Sequence, residues 1–321
     1  MPPAADTAPN SGLRRVRHTA LALSLGLCAG LVQLGALGPL ACARSCERYN
    51  RAPSAEPCTC TASTVCAPSE DPRQLIIAPT DLWPEVAIGS LGGCTGTLIG
   101  PRHVLTAGHC VVSGFDGDRF SWTPQFAAAR DGNDLPYDKV PVSRVFVPKG
   151  FIEHECGWSD RGNPTEWDFA LLELAEPMEI EPLPYRALND QELEGATLYN
   201  RGYPVAGSCA PSDRQENSMW GSEGTLDREF IREGFLYSSL FGSAGHSGSA
   251  VYTRDPTTDE FTVIGVFIGP VCGECPWRTS TAVRLGPTPV DYLDAWISGA
   301  EDRPCCEAWV EGYGPTAQSS E

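Results

Sequence analysis

Positive charge is scarce in this sequence: 23 Lys and Arg stand against 41 Asp and Glu over 321 residues, a net charge of −18. A phosphate-binding surface needs the opposite balance, so nucleic-acid binding is excluded as a function class. The carboxylate surplus reads as a solvated acidic surface that keeps the chain soluble, with steering of basic substrates as the sharper rival. Helical periodicity is scarce as well, and no internal sequence repeat is present. Paired Cys-x-x-Cys knuckles are missing from the N-terminal cysteine cluster, which argues against a zinc site there. What remains is a chain with 41% hydrophobic residues, enough to build the core of one large domain or two small ones.

Arg14, Arg15 and Arg17 precede an apolar run from Thr19 to Leu40, and Ala41-Cys42-Ala43 follows. This order describes an export signal over residues 1–43. A retained anchor is the rival reading, because the run is near the spanning minimum. Of the 14 cysteines, Cys28 and Cys42 fall within the signal, so an even number remains for pairing. Pro39 and Leu40 make Cys42 a poor lipidation site, and the Arg-Arg pair lacks the rest of a twin-arginine signal. The expectation is a secreted or periplasmic monomer with no membrane span after signal cleavage. Residues 44–82 hold Cys46, Cys58, Cys60 and Cys66 among Pro, Ser, Thr and Ala, and read as a disulfide-stapled pro-segment or linker. Residues 83–300 read as the folded domain and 301–321 as a tail carrying Cys305 and Cys306.

From Trp83 onward, short strands alternate with Gly, Pro and Asp turns. One group comprises Glu85–Ser90, Thr97–Ile99, His103–Thr106, a strand pair over Val140–Val147 with a phase change near Ser143, and Phe169–Leu174. The other comprises Ala196–Tyr199, Gly224–Leu226, Phe235–Tyr237, Ala250–Tyr252, Phe261–Phe267 and Thr281–Leu285. The one good helix spans Pro287–Ser298, with Thr288 and Pro289 suited to its cap and first turn, and Val290, Leu293 and Ile297 on one face. The pattern predicts an all-β fold of paired barrels with a C-terminal α-helix.

Three segments carry chemistry. Leu105-Thr-Ala-Gly-His109-Cys110 ends a strand pair on a histidine. Trp167-Asp168-Phe169 sets a carboxylate at the mouth of an apolar strand, and Gly245-His246-Ser247-Gly248-Ser249 puts a hydroxyl on a glycine-flanked turn. Acyl transfer needs a nucleophile, a base to take its proton and a group to orient the base, and Ser247, His109 and Asp168 supply one of each. The glycines permit a bend that aims the backbone N–H groups of Gly245 and Ser247 at one point, as an oxyanion hole requires. Cys94 and Cys110 flank the strand pair that ends at His109, so a disulfide between them would pin the base. Each segment alone is commonplace; their conjunction is not.

These segments resemble the catalytic motifs of chymotrypsin-fold serine peptidases. Gly202-Tyr203-Pro204, Met219-Trp220-Gly-Ser-Glu-Gly224 and Val263-Ile-Gly-Val266 are similar to the bacterial glutamyl-endopeptidase branch. The likeness covers about Trp83 to Ser298. It implies two six-stranded antiparallel β-barrels with the site in the cleft between them. It also implies His109 as general base, Asp168 as its orienting carboxylate and Ser247 as nucleophile, acting on protein or peptide substrates with no cofactor or metal. A catalytically inactive scaffold on the same fold is the alternative, but no triad member is missing.

Two departures stand out. His246 precedes the nucleophile where pancreatic-type enzymes have an aspartate that pairs with the freshly cut N-terminal amine. Activation by that ion pair is therefore not expected, and the site is either pre-formed or ordered by other contacts; His246 itself reads as a packing or surface residue. Phe267 and Gly242 stand where the glutamyl branch has a histidine and a threonine, and Phe241 stands near the place of the trypsin pocket's acid. Around Phe241, Gly242, Phe267 and Gly269 the expectation is an apolar or small pocket, since a buried glutamate carboxylate would find no partner. Cys272-Gly-Glu-Cys275 reads as structural rather than redox, because no βαβ unit surrounds it. Asp131–Asp134 with Asp138 is acidic but lacks full calcium-loop periodicity, and Cys156 with Cys209 is a candidate pair.

Overall fold

The computed structural model describes residues 74–76, 82–111, 115–116, 119–120, 124–153, 166–205, 217–270, 280–300 and 305–310. The segments 1–43 and most of 44–82, with His154, Cys156, Cys209, Cys272 and Cys275, lie outside the described residues. Among the described residues no helix is long and apolar enough to cross a membrane.

Strands form wherever β-branched and aromatic residues recur between Gly, Pro and Asp turns. The first barrel is built from β2 (Ile88–Ser90), β3 (Thr95–Gly100), β4 (His103–Thr106), β7 (Gln125–Ala128), β8 (Val140–Pro148) and β9 (Ala170–Leu174). Their order β8-β7-β2-β3-β4-β9 closes on itself through a β8–β9 pairing, so six antiparallel strands make a ring. Registers such as Leu98 opposite Val104 and Leu172 opposite Val145 on one face, and Leu105 opposite Leu171 on the other, line both faces with buried aliphatic side chains. Full burial of each contributes about 1.5–3 kcal/mol. The phase change near Ser143 is not a break between two strands. Val140–Pro148 is one strand whose register against β9 shifts between Val142 and Arg144, and the Ser143 hydroxyl donates to the Glu173 carbonyl.

The second barrel orders its six strands β11-β10-β13-β14-β15-β12. They are β10 (Thr197–Gly202), β11 (Trp220–Thr225), β12 (Phe235–Ser238), β13 (Ala250–Arg254), β14 (Phe261–Pro270) and β15 (Ser280–Arg284). A side chain joins its ends: the Ser222 hydroxyl accepts from Phe241 N–H at 3.0 Å and donates to Phe241 C=O at 2.8 Å. One apolar cluster links the barrels through Leu98, Leu105 and Leu171 with Val263, Val266 and Val283. A second cluster fills the other side of the second barrel, around Leu198, Leu236, Ile264 and Phe267.

Additions to this frame were not visible in the sequence. A short β1 (Gln74–Leu75) pairs with Trp220 and Gly221 of β11. A β5 (Phe115–Asp116) and β6 (Arg119–Phe120) hairpin extends the first sheet. Inside the tail, β16 (Cys305–Val310) runs antiparallel to β8, with Cys305 opposite Pro148 and Trp309 opposite Arg144.

The helices are α1 (Lys149–Glu153), α2 (Asp190–Leu193) and α3 (Pro287–Ser298). Asn189 caps α2 in a reciprocal capping box with Glu192. Helix α3 has the expected span, but Gly286 rather than Thr288 is its N-cap, and it ends at Gly299, whose φ is +72°. Its buried face is Tyr292, Leu293, Ala295 and Trp296, with Val290 and Ile297 only partly covered. Trp296 stacks on Phe146 and packs on Phe169, each at 5.8 Å between centroids.

Ending the chain after Ala300 removes β16 and leaves the outer half of β8 without its ladder partners. A few backbone hydrogen bonds at about 1 kcal/mol each should be lost, lowering Tm by about 2–4 °C per kcal/mol in calorimetry. An unchanged Tm would show that β16 contributes nothing to stability.

Candidate active site

His109 sits on a short 3-10 turn, Gly108–Cys110, that follows β4 at the rim of the first barrel. Asp168 lies just before β9 and is wholly buried. Its two oxygens take separate donors: Oδ1 accepts from His109 N–H and Oδ2 bonds His109 Nδ1, both at 2.8 Å. The double contact fixes the ring's position and its tautomer together. An ionised carboxylate only accepts, so the proton resides on Nδ1 and the neutral ring carries its lone pair on Nε2. The imidazole remains 26% exposed. Burial pulls the His109 pKa down, but the hydrogen bond and charge of Asp168 outweigh it and leave the pKa above its ordinary 6.5.

The walls around Asp168 are aromatic. Trp167 and Phe169 each meet Tyr292 of α3 edge-on, at 5.8 and 6.2 Å. On the other side, an added Cβ at Gly108 would come within 3.1 Å of the Phe151 ring and 3.3 Å of Asp168 Oδ1. A larger residue at 108 would fit only if the Phe151 ring or the carboxylate gave way by a few tenths of an ångström.

Ser247 is half-buried, on a turn between β12 and β13. The turn is bonded to the hairpin that delivers His109. Ser247 C=O accepts from Thr95 N–H at 2.8 Å, and Gly245 C=O accepts from the Thr95 hydroxyl at 2.7 Å. Gly248, at φ +84°, lies so close that a Cβ would overlap the Thr106 hydroxyl and the Thr95 carbonyl. Cys94, next to Thr95, is disulfide-bonded to Cys110, next to His109, with Cα atoms 6.2 Å apart. Closing a loop of this length constrains the unfolded chain by about 3 kcal/mol in the chain-entropy account. Among the described residues, the N–H groups of Gly245 and Ser247 donate to no acceptor.

The four specificity candidates are close together in the second barrel. The Phe267 ring is 1% exposed and lies over Gly242, where an added Cβ would meet its Cζ at 2.5 Å. Phe241 is buried, and Gly269, at φ +141°, forms the bulge of β14 against β15. His246 is no surface residue: it is fully buried and bonded to Asn200. His103 is the first residue of β4. Asp131 and Asp134 close a tight turn by exchanging backbone hydrogen bonds. Sequence reasoning missed Thr95 and Asn200, two buried polar residues inside strands that carry no motif.

A sequence profile of the trypsin-like peptidase domain matches residues 94–265, more than half the chain. The chain belongs to this trypsin-like serine peptidase family. A glutamyl endopeptidase of Bacillus licheniformis is 29% identical over 235 residues, covering 70% of this chain and 67% of that protein. Serine protease 23 of Bos taurus is 31% identical, and that of Homo sapiens 30%; each alignment covers 64% of this chain, and 58% and 57% of those proteins. The chain thus spans about two thirds of the first relative and less than three fifths of the other two. A solved Glu endopeptidase in complex with MPD superposes with a TM-score of 0.57 at 20% identity, covering 72% of this chain and 98% of that one, and shows the same fold.

Gly248→Ala should disable the site by two routes: a left-handed φ costs a non-glycine residue about 1–2 kcal/mol, and overpacking adds about 1–3 kcal/mol. Gly195→Ala is the control, since its φ of +75° is also positive but no atom lies within 4 Å of the new methyl. Thermal melts with a peptidase assay should show a larger Tm loss and no hydrolysis for Gly248→Ala, and a small Tm loss with full activity for Gly195→Ala.

Proposed function

We propose that this chain is an exported serine endopeptidase that cleaves peptide bonds through an acyl-enzyme on Ser247. His109 Nε2 takes the Ser247 proton as Oγ attacks the substrate carbonyl. Asp168 holds the ring and stabilises the imidazolium that forms, and the N–H groups of Gly245 and Ser247 receive the developing oxyanion. His109 then gives its proton to the leaving amine, and a water repeats the sequence on the ester. Residues 1–43 act as the export signal and 44–82 as a pro-segment of the peptidase. The observation that carries this reading is the pair of 2.8 Å bonds from His109 to the buried Asp168. A carboxylate wholly removed from water is costly unless its donors are well placed, and here both come from the residue it would orient.

A fluorophosphonate probe tests the chemistry. Labelling of the secreted protein that vanishes in Ser247→Ala supports the enzyme, whereas a silent parent protein supports a non-catalytic scaffold. The pH profile tests the base. His109 must be neutral to accept a proton, so kcat/KM should rise with pH through a midpoint above 6.5, the ordinary value that Asp168 lifts. In Asp168→Asn the lifting interactions are gone and burial remains, so the midpoint should fall below 6.5, with kcat reduced by about 10⁴. An unmoved midpoint would remove His109 from the role of base.

The primary pocket is proposed to accept small side chains such as Gly, Ala or Ser. With Phe267 lying on Gly242 and Phe241 buried beside them, the aromatic rings occupy the space a long side chain would need. None of these residues offers a side-chain donor, so a glutamate substrate would leave its carboxylate unpaired. A peptide-library profile should be dominated by small residues before the cut; dominance by Glu, Lys or Arg would overturn this assignment.

A further inference from the structure

We infer that a closed ring of hydrogen bonds through His246, Asn200 and Ser249 holds the oxyanion turn in its working shape, so that no N-terminal amine is needed to order it. The inference rests on the reading of Ser247 as nucleophile.

The proton positions in the ring follow from its acceptors. Asn200 Nδ2 lies 3.1 Å from the Ala250 carbonyl, which can only accept, so the amide is oriented with Oδ1 toward His246. His246 Nδ1, 3.0 Å from that oxygen, is therefore the donor. Asn200 Nδ2 also donates to the Ser249 hydroxyl at 2.6 Å, and Ser249 passes its own proton to the His246 carbonyl at 2.6 Å. The ring starts at the imidazole of His246 and returns to the backbone of the same residue.

Its consequence lies in the peptide planes. The His246 carbonyl accepts a second bond, from Ser249 N–H at 2.9 Å, and two donors on one oxygen fix the plane of the 246–247 peptide. The other end of that peptide is the Ser247 N–H. The neighbouring planes are held as firmly: Gly245 C=O by the Thr95 hydroxyl, and Ala244 C=O by Val205 N–H at 2.8 Å. The Gly245 N–H belongs to the second of these. Both proposed oxyanion donors are thereby aimed by bonds made at the opposite ends of their own peptides.

The ring is sealed from solvent. His246, Asn200 and Ser249 are each 0% exposed. A Cβ added at Gly202 would come within 2.9 Å of His246 Nδ1, and one at Gly242 within 3.1 Å of His246 Cβ, so the imidazole fills its cavity. His246, Asn200 and Ser249 are positioning residues, since none of them touches a reacting atom.

The chain has two lysines, Lys139 and Lys149, so a Lys139→Arg/Lys149→Arg protein keeps the α-amine as its one acylable amine. Acetylating that protein should leave kcat within about twofold; a loss of more than tenfold would show that an amine orders the site. Ser249→Ala and Asn200→Ala should each lower kcat by about 10–100-fold with KM within about twofold, a fraction of the loss caused by deleting an oxyanion donor. Because both residues act in one ring, the double variant should cost no more than the worse single one. Variants that lose Tm but keep kcat would reduce the ring to a merely structural role. If the parent neither hydrolyses peptides nor reacts with fluorophosphonate, the peptidase reading fails first. The ring is then judged by ¹⁵N-edited NMR, where a slowly exchanging His246 Nδ1–H should vanish in Asn200→Ala; its absence from the parent overturns the ring.

Discussion

Thr95 takes part in four hydrogen bonds, two through its backbone and two that need a side-chain hydroxyl at the first position of β3. Its N–H donates to Ser247 C=O and its C=O accepts from the Thr106 hydroxyl. Its own hydroxyl donates to Gly245 C=O and accepts from Tyr203 N–H at 2.9 Å. Two of these partners lie on the serine turn, one on the second barrel at the end of β10, and one on the strand that leads to His109. The side chain is fully buried, so each group would be an uncompensated cost if its partner moved. This constraint makes the cleft a fixed distance rather than a hinge. The disulfide one residue away adds a covalent tie between the same two segments.

The second half of the site depends on burying a carboxylate, which an interior of aliphatic side chains alone could not do. Asp168 lies under aromatic residues from three places: Trp167 and Phe169 beside it, Phe151 of α1, and Tyr292 of α3. Helix α3 is thus more than a terminal cap on the fold. Its aromatic face covers the strand entry that carries Asp168 and, through Trp296, the end of β8. Water is kept from the carboxylate while the imidazole stays partly exposed, so the ring is held from the buried side and open on the other.

The sequence made the local parts of this arrangement legible and the long-range parts opaque. His109, Asp168 and Ser247 stood out because each sits in a run whose glycines, small residues or apolar neighbours restrict it locally. Helix α3 was readable from its own periodicity, although Gly286 took the cap position that Thr288 suited, because Pro287 at the first helical position has no N–H that needs an acceptor. The strand Gln125–Ala128 was missed, being too short to show alternation, and β16, Cys-Cys-Glu-Ala-Trp-Val, shows no polar–apolar alternation of its own. The phase change at Ser143 was visible, but a bulge and a break look alike without the partner strand. Phe267 and Gly242 were singled out in the sequence, yet only the packing shows a ring lying on a missing side chain. Asn200 had no signal at all: its partners are 46 and more residues away.

The electrostatics of the turn explain why a histidine can stand where an aspartate would need an ammonium partner. A buried ion pair carries the desolvation of two charges, and loss of either partner leaves the other exposed to a medium that cannot solvate it. A ring of imidazole, amide and hydroxyl holds the turn through hydrogen bonds among His246, Asn200 and Ser249, with no ammonium partner among them. What it gives up is conditional assembly: a turn held by residues of the folded barrel is in place as soon as the barrel is. In such a molecule, control over cleavage must act on access to the cleft, through whatever covers it, rather than on the geometry of the oxyanion donors.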